Sequence, residues 1–278
     1  MIRVITGWTT VFGLSILLLT PAIARAQADD PAALKLAEPD FTLIGLPTAL
    51  RLPTFKSSFR VTHRFTRPLN DDFDEVFEDF FGLDSGASIG LEYRFGLFKN
   101  GQVGILRNNN KTIQFLGQYS VLRQTAGSPL DVSAVVTIEG TNNFKDSYSP
   151  AVGAIIARTI GSVAALYFEP IWVNNTSTLP TELVDHNSTM MYGIGARIRI
   201  RPTVYVVGEF APRTGNKDIV PGQPSVTHGS FAIEKRAGGH MFQVNFSNAF
   251  GTTMANIARG GGQENDWYLG FNISRKFF

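Results

Sequence analysis

From Phe59 to the C-terminus, apolar and polar residues alternate with a period of two, segment after segment. That period puts successive side chains on opposite faces of a strand. In the clearest run Met190, Tyr192, Ile194, Ala196, Ile198 and Ile200 share one face, and Met191, Gly193, Gly195, Arg197, Arg199 and Arg201 share the other. Phe59, Val61, His63 and Phe65 alternate with Arg60, Thr62 and Arg64 in the same way, as do Ile89, Leu91, Tyr93 and Phe95 with Gly90, Glu92 and Arg94. These runs predict strands near residues 57–66, 87–97, 102–108, 112–123, 131–140, 150–160, 163–174, 189–201, 203–211, 227–235, 240–248 and 266–277. Most are longer than the ~5–6 residues of a globular strand and match the ~9–11 that cross a bilayer at a tilt.

The connections fall into two alternating classes. Phe98–Gly101, Gly161–Ser162, Pro202 and Arg236–Gly239 are tight, with Asn-Gly and Gly-Gly hairpin chemistry, and Gln124–Leu130 lies on the same side. Between them fall the longer stretches 67–86, 141–149, 175–188, 212–226 and 249–265, with Asn109–Lys111 short among them. Short turns on one rim and long loops on the other predict an outer-membrane barrel, with short periplasmic turns and long extracellular loops. Residues 71–84 carry seven acids interleaved with Phe73, Val76, Phe77, Phe80 and Phe81, which predicts a short amphipathic helix over the rim. Calcium is the alternative there, but the acids lack the spacing of a calcium-binding hand. Thr252–Arg259 also reads as helical.

Ahead of the strands, Met1-Ile2-Arg3, the apolar run Val11–Leu19 and Ala24-Arg25-Ala26 form the pattern of a secretory signal peptide over residues 1–26, cut before Gln27. Residues 27–56, with Pro31, Pro39, Pro47 and Pro53, read as an irregular segment that could plug the lumen, add a strand or stay outside. The barrel itself occupies 57–278. Of the 278 residues 44% are hydrophobic and 17% charged, and none is Cys, which removes disulfides, thiolate nucleophiles and zinc ribbons. Removing residues 1–26 leaves 23 basic and 23 acidic residues, so no cationic excess exists for nucleic acid.

Alternation alone does not say whether the apolar face points inward or into lipid. The C-terminus argues for lipid: Trp267, Leu269, Phe271 and Ile273 run in register to Phe277, with Phe278 one residue beyond, a pattern similar to the terminal assembly signal of bacterial outer-membrane barrels. A soluble periplasmic ligand-binding barrel, needing only about eight strands, is the alternative.

The stretches Phe59-Arg60-Val61-Thr62-His63-Arg64-Phe65, Phe81-Gly82-Leu83-Asp84-Ser85-Gly86, Lys111-Thr112-Ile113-Gln114-Phe115 and Leu122-Arg123-Gln124 resemble an uncharacterised bacterial family catalogued only as a domain of unknown function, number 5777, over most of residues 50–278. The resemblance implies an outer-membrane β-barrel and carries no activity, so it transfers no functional residue.

With the apolar faces in lipid, the lumen receives Arg60, Arg64, Arg94, Arg158, Arg197, Arg199, Arg201 and Lys276 against Glu92, Glu139, Glu169, Glu209 and Glu234. These charges predict either a salt-bridge network that stiffens the barrel or a narrow pore of slight anion preference for a small polar solute. His228 and Ser230 share a face, as a base and nucleophile of a membrane lipid hydrolase would. Phe231, however, stands where that hydrolase family has Asn, and no calcium pattern accompanies the pair. His63 reads as interfacial packing. Tyr93, Tyr119, Tyr167, Trp172, Tyr192 and Trp267 read as interfacial girdles, and Gly260-Gly261-Gly262 as flexible connection. The reading is a non-enzymatic outer-membrane barrel without catalytic, cofactor or metal residues. Its expected partners are membrane lipid and, through the C-terminal strand, the assembly machinery.

Overall fold

A computed structural model describes residues 35–69, 86–125, 127–177, 187–215, 226–261 and 266–278. The expected signal peptide and the acidic segment 71–84 lie outside the described residues. The strands are β1 (Ser57–Phe65), β2 (Ala87–Phe98), β3 (Gly101–Asn108), β4 (Ile113–Leu122), β5 (Asp131–Gly140), β6 (Asp146–Ile160), β7 (Ala164–Asn174), β8 (Ser188–Arg201), β9 (Val204–Ala211), β10 (Arg213–Gly215), β11 (His228–Ala237), β12 (His240–Ser247) and β13 (Tyr268–Phe277). All pairings are antiparallel between neighbours, and β1 pairs with both β2 and β13. β8 pairs with β7 and β9, and β9 pairs on its other edge with β11. The sheet is therefore a closed ring. β10 continues β9 beyond Pro212, pairing with Met191, Met190 and Thr189 of β8, because proline has no N–H for the ladder. Twelve staves result, as the alternation predicts. Each strand other than the short β10 is paired on both edges.

The polarity of the ring is inverted relative to a soluble barrel. Outward-facing Leu91, Val136, Val152, Phe231 and Ile233 are 50–62% exposed. Arg60, Arg64, Glu92, Arg94, Arg197, Glu209 and Glu234 are at most 6% exposed inside. A skin of large apolar residues around a polar interior needs a non-aqueous surround, which decides the direction that alternation leaves open. His63 faces outward, its ring stacked 4.7 Å from that of Phe271. Tyr93, Tyr119, Trp172 and Trp267 are exposed on this skin. Tyr167 is not: it points inward and is buried.

β6 starts at Asp146, four residues before its expected start, and is apolar on both faces. Ala151, Ile155 and Ala157 point inward and are buried, while Val152 and Ile160 point outward. The opposite side chains of β7 divide the same way, with Tyr167, Ile171 and Val173 in and Leu166, Phe168 and Trp172 out. Two-sided strands need apolar material inside the barrel. Residues 35–56 and a six-residue helix, α1 (Met254–Arg259), supply it.

Candidate functional site in the barrel lumen

The segment before β1 enters at the short-turn rim, climbs into the lumen, turns and descends. At its start Lys35 pairs with Asp131, the first residue of β5, and Tyr205 of β9 donates to the Leu36 carbonyl at 3.0 Å. At its end Arg51 donates to Asn100 in the β2–β3 turn, and the Phe55 N–H reaches the Gly96 carbonyl at 2.7 Å. Between them Phe41–Thr48 forms a hairpin: Thr48 N–H donates to the Phe41 carbonyl (2.9 Å) and Leu43 N–H to the Leu46 carbonyl (2.8 Å). Leu43, Ile44 and Leu46 at its tip are at most 1% exposed.

Inside a barrel this hairpin has no neighbouring strand, so its remaining backbone groups must find partners among side chains. Glu209 of β9 accepts from the N–H groups of Ile44 (3.1 Å), Gly45 (2.9 Å) and Leu46 (3.1 Å). Cations take the carbonyls. Arg197 reaches that of Thr42 (2.7 Å), Arg94 that of Phe41 (3.1 Å), and Arg60 and Arg64 that of Ile44 (3.3 and 3.4 Å). Gln243 donates to the Leu43 carbonyl and Asn272 to that of Ile44. On the descending limb Gln118 donates to the Thr48 carbonyl and Gln102 to that of Leu50. The hairpin is thus held from β1, β2, β3, β4, β8, β9, β12 and β13, around most of the circumference.

Arg60, Arg94 and Arg197 are also tied to carboxylates, which offsets the cost of burying their charge, while Arg64 is held by Asn272 Oδ1 (2.9 Å) and backbone carbonyls. Glu92 joins Arg60 (2.8 Å) and Arg94 (2.5 Å), and Glu234 takes Arg197 in a two-point contact of 2.8 and 3.0 Å. Asp40 in the plug itself accepts from Ser274 (2.6 Å) and lies 3.4 Å from Lys276. A cavity of about 10 Å³ beside Asp40, Arg60, Glu92 and Arg94 has room for one water-sized guest.

The second plug comes from the opposite rim. In α1 the Thr253 hydroxyl accepts from Asn256 N–H at the N-terminus, and Met254, Ala255, Ile257 and Ala258 are buried. Gln114 of β4 accepts from Met254 N–H (2.7 Å). Arg259 pairs with Glu139 (3.2 Å) and donates to the carbonyls of Asn175 and Thr176. The two plugs meet at Gly45, where a Cβ would lie 2.8 Å from Ile257 Cδ1. Gly260, expected to be merely flexible, has φ of 76° and would place a Cβ 2.0 Å from the Val226 carbonyl oxygen; no other residue fits there.

Of the charges expected in the lumen, Arg60, Arg64, Arg94, Arg197, Lys276, Glu92, Glu139, Glu169, Glu209 and Glu234 are buried there. Arg158 is not. It faces outward and is exposed, opposite Leu166 near the β6–β7 turn, because an apolar strand on both faces hides its register from an alternation argument. Arg199 bonds the Pro202 carbonyl at the short-turn rim, and Arg201 is exposed past a register shift between the two. Five of the expected cations therefore face five carboxylates, and the cationic excess behind an anion preference is gone. Glu169 is fully buried beside Leu46, and no donor among the described residues reaches either of its oxygens. His228 and Ser230 do not form a base–nucleophile pair: both bond the same Glu209 oxygen, at 3.1 and 3.0 Å, beneath the hairpin. Phe277 continues the outward register and Phe278 lies exposed beyond it. The lumen glutamines, Asn272 and the Phe41–Thr48 hairpin escaped the sequence reading; the signal for them was amide side chains on strand faces that an open pore does not require.

Among solved structures the chain is similar to the NanC porin, with a TM-score of 0.54 at 6% identity, covering 80% of this chain and 99% of that one. It is also similar to Omp33 of Acinetobacter baumannii (TM-score 0.42, 9% identity, 80% and 98% coverage) and outer membrane phospholipase A from Escherichia coli (0.43, 7%, 80% and 90%). At 6% identity the likeness to the NanC porin concerns the fold alone. No curated protein matches the chain. A family profile described as "Membrane bound beta barrel domain (DUF5777)" matches residues 41–277, the hairpin included. The chain belongs to this family of membrane-bound β-barrels.

Proposed function

We propose that the chain is an outer-membrane barrel held shut at rest by its own N-terminal hairpin, and that a small polar solute passes only when that hairpin moves. One observation carries this reading: the hairpin's amides and carbonyls are bonded by side chains from strands around the lumen. The inward charges serve as partners for a backbone without a ladder. In this reading the chain is exported by a cleaved signal peptide, assembled through its C-terminal strand, and oriented with the short turns and both hairpin limbs on the periplasmic side. A lipid hydrolase is disfavoured by the shared Glu209 partner of His228 and Ser230, and a soluble barrel by the apolar skin.

Planar-bilayer recordings test the reading. The intact chain is expected to be silent, and a chain lacking residues 35–56 to conduct steadily. A Glu209→Ala chain, with every strand intact, is expected to flicker. A mobility shift on boiling confirms that each variant is a closed barrel. Steady conductance by the intact chain, or silence from folded chains of both variants, overturns the proposal.

A further inference from the structure

Two turns at the long-loop rim make an edge that the lumen does not use. Asn142, Asn143 and Phe144, between β5 and β6, take φ of 51°, 57° and 64° in succession. Asparagine tolerates this left-handed conformation, but a bulky phenylalanine rarely adopts it, so the turn holds an unfavourable shape. That shape folds the Phe144 ring over Gly140, where a Cβ would come within 2.8 Å of it, and against Phe115 and Tyr148. Both contacts are edge-to-face with ring centres 5.1 Å apart. Phe115 and Tyr148 are exposed, and Phe115 shares the outward skin of the barrel.

The same turn gathers charge. Asn143 N–H donates to the Lys111 carbonyl (2.7 Å), and its side-chain oxygen accepts from Arg107 (3.0 Å). Lys111 in the β3–β4 turn, Lys145, and Arg107 on the outward face of β3 beside Ile105 are all exposed. Asp146 is the acid among the described residues of these turns, and it accepts from Asn142 (2.8 Å). Three cations against one carboxylate thus stand at the water-side edge of an aromatic, lipid-facing platform. Among the described residues one guanidinium donor of Arg107 is engaged in a hydrogen bond, which leaves others for a phosphate oxygen.

We propose that this edge binds the phosphate of an anionic lipid headgroup, with Arg107, Lys111 and Lys145 on the phosphate and Phe115, Phe144 and Tyr148 along the acyl chains. Both halves are needed for an amphiphile: cations alone would take any phosphate, and aromatics alone any lipid. Native mass spectrometry of the full chain in detergent micelles, titrated with phosphatidylglycerol or phosphatidylcholine, reads the site. Phosphatidylglycerol is expected to be retained at least fivefold better than phosphatidylcholine, and the preference to vanish in the triple variant Arg107→Gln/Lys111→Gln/Lys145→Gln. Phe144→Ala is expected to weaken retention of both lipids and keep the preference. Arg158→Gln, an exposed outward arginine at the other rim, is expected to change neither. An unchanged preference in the triple variant, equal loss in Arg158→Gln, or displacement of phosphatidylglycerol by millimolar inorganic phosphate overturns the proposal. A boiling-dependent mobility shift identifies the folded variants, and the reading stands or falls whether or not the lumen conducts.

Discussion

Glu209 serves three plug amides, Ser230 and His228 at once, so Glu209→Ala leaves those amides in the lumen without an acceptor. Charge-assisted bonds contribute about 1.5–3 kcal/mol each before relaxation. The variant should loosen the hairpin by several kcal/mol while the ladder around it stays intact, read as faster deuterium exchange of residues 41–48 and unchanged exchange in β1–β13. Glu169 makes the opposite case: a buried carboxylate without a donor among the described residues costs stability. Glu169→Gln should raise the temperature at which the boiling-dependent mobility shift occurs, corresponding to about 1–3 kcal/mol; a fall would mean that Glu169 has a partner. The plug's own acids make its seating depend on pH. Burial raises the pKa of Glu38 above the ordinary 4.5, against Lys35 and the Tyr167 hydroxyl. Burial opposes ionisation of Asp40 too, but Lys276, Arg197, Ser274 and the Phe41 N–H outweigh it and hold its pKa below 3.8. What Asp40 contributes is complete above 3.8 and lost as pH falls through its lowered value. What Glu38 contributes is complete below 4.5 and lost as pH rises through its raised value. Protease cleavage within 35–48 should therefore be slowest between about pH 3.8 and 4.5. Glu38→Gln should remove the rise on the alkaline side and Asp40→Asn the rise on the acid side.

At the scale of elements, alternation was enough for the staves. β1, β2, β5 and β8 lie within a residue or so of their expected limits, because a strand with lipid on one face and polar groups on the other has a single workable register. Where that contrast fails the reading fails: β6 meets plug side chains inside and lipid outside, both apolar, so alternation puts Arg158 in the lumen when it faces outward. The Phe41–Thr48 hairpin was illegible for a related reason. Its fold is set by Glu209, Arg94 and Arg197, which stand far along the chain, and its own sequence carries no periodic pattern. The helix over 252–259 was legible, but its burial was not, since Gln114 and Glu139 that receive it look like any lumen-facing residues. The junction of the two plugs gives a test at this scale. Gly45→Val would push a side chain into Ile257 Cδ1, 2.8 Å from the new Cβ position, and toward the Glu209 carboxylate at 3.2 Å. It should destabilise the closed lumen by about 1–3 kcal/mol, as overpacking does. The expected readout is intermittent conductance in a chain that still shows the mobility shift, and a chain as silent as the parent would place the contact elsewhere.

For the molecule as a whole, the mixed composition resolves into an apolar skin, a polar ring of side chains and a second apolar core inside that ring. The inner core of Leu43, Ile44, Leu46, Val135, Ile155, Ile171, Ile257 and their neighbours couples hairpin, helix and staves. The charges between skin and core hold the hairpin backbone, and in the proposed reading they serve as its partners in a lumen shut at rest. The absence of cysteine offers a direct probe of this closure: a single cysteine in place of Ile44, at the hairpin tip, compared with one in place of Leu36, exposed at the short-turn rim. In lipid vesicles with a water-soluble thiol reagent on both sides, the closed-lumen account predicts rapid labelling of Leu36→Cys and none of Ile44→Cys until the protein is denatured. Labelling of Ile44→Cys at the rate of Leu36→Cys in the folded barrel would contradict it.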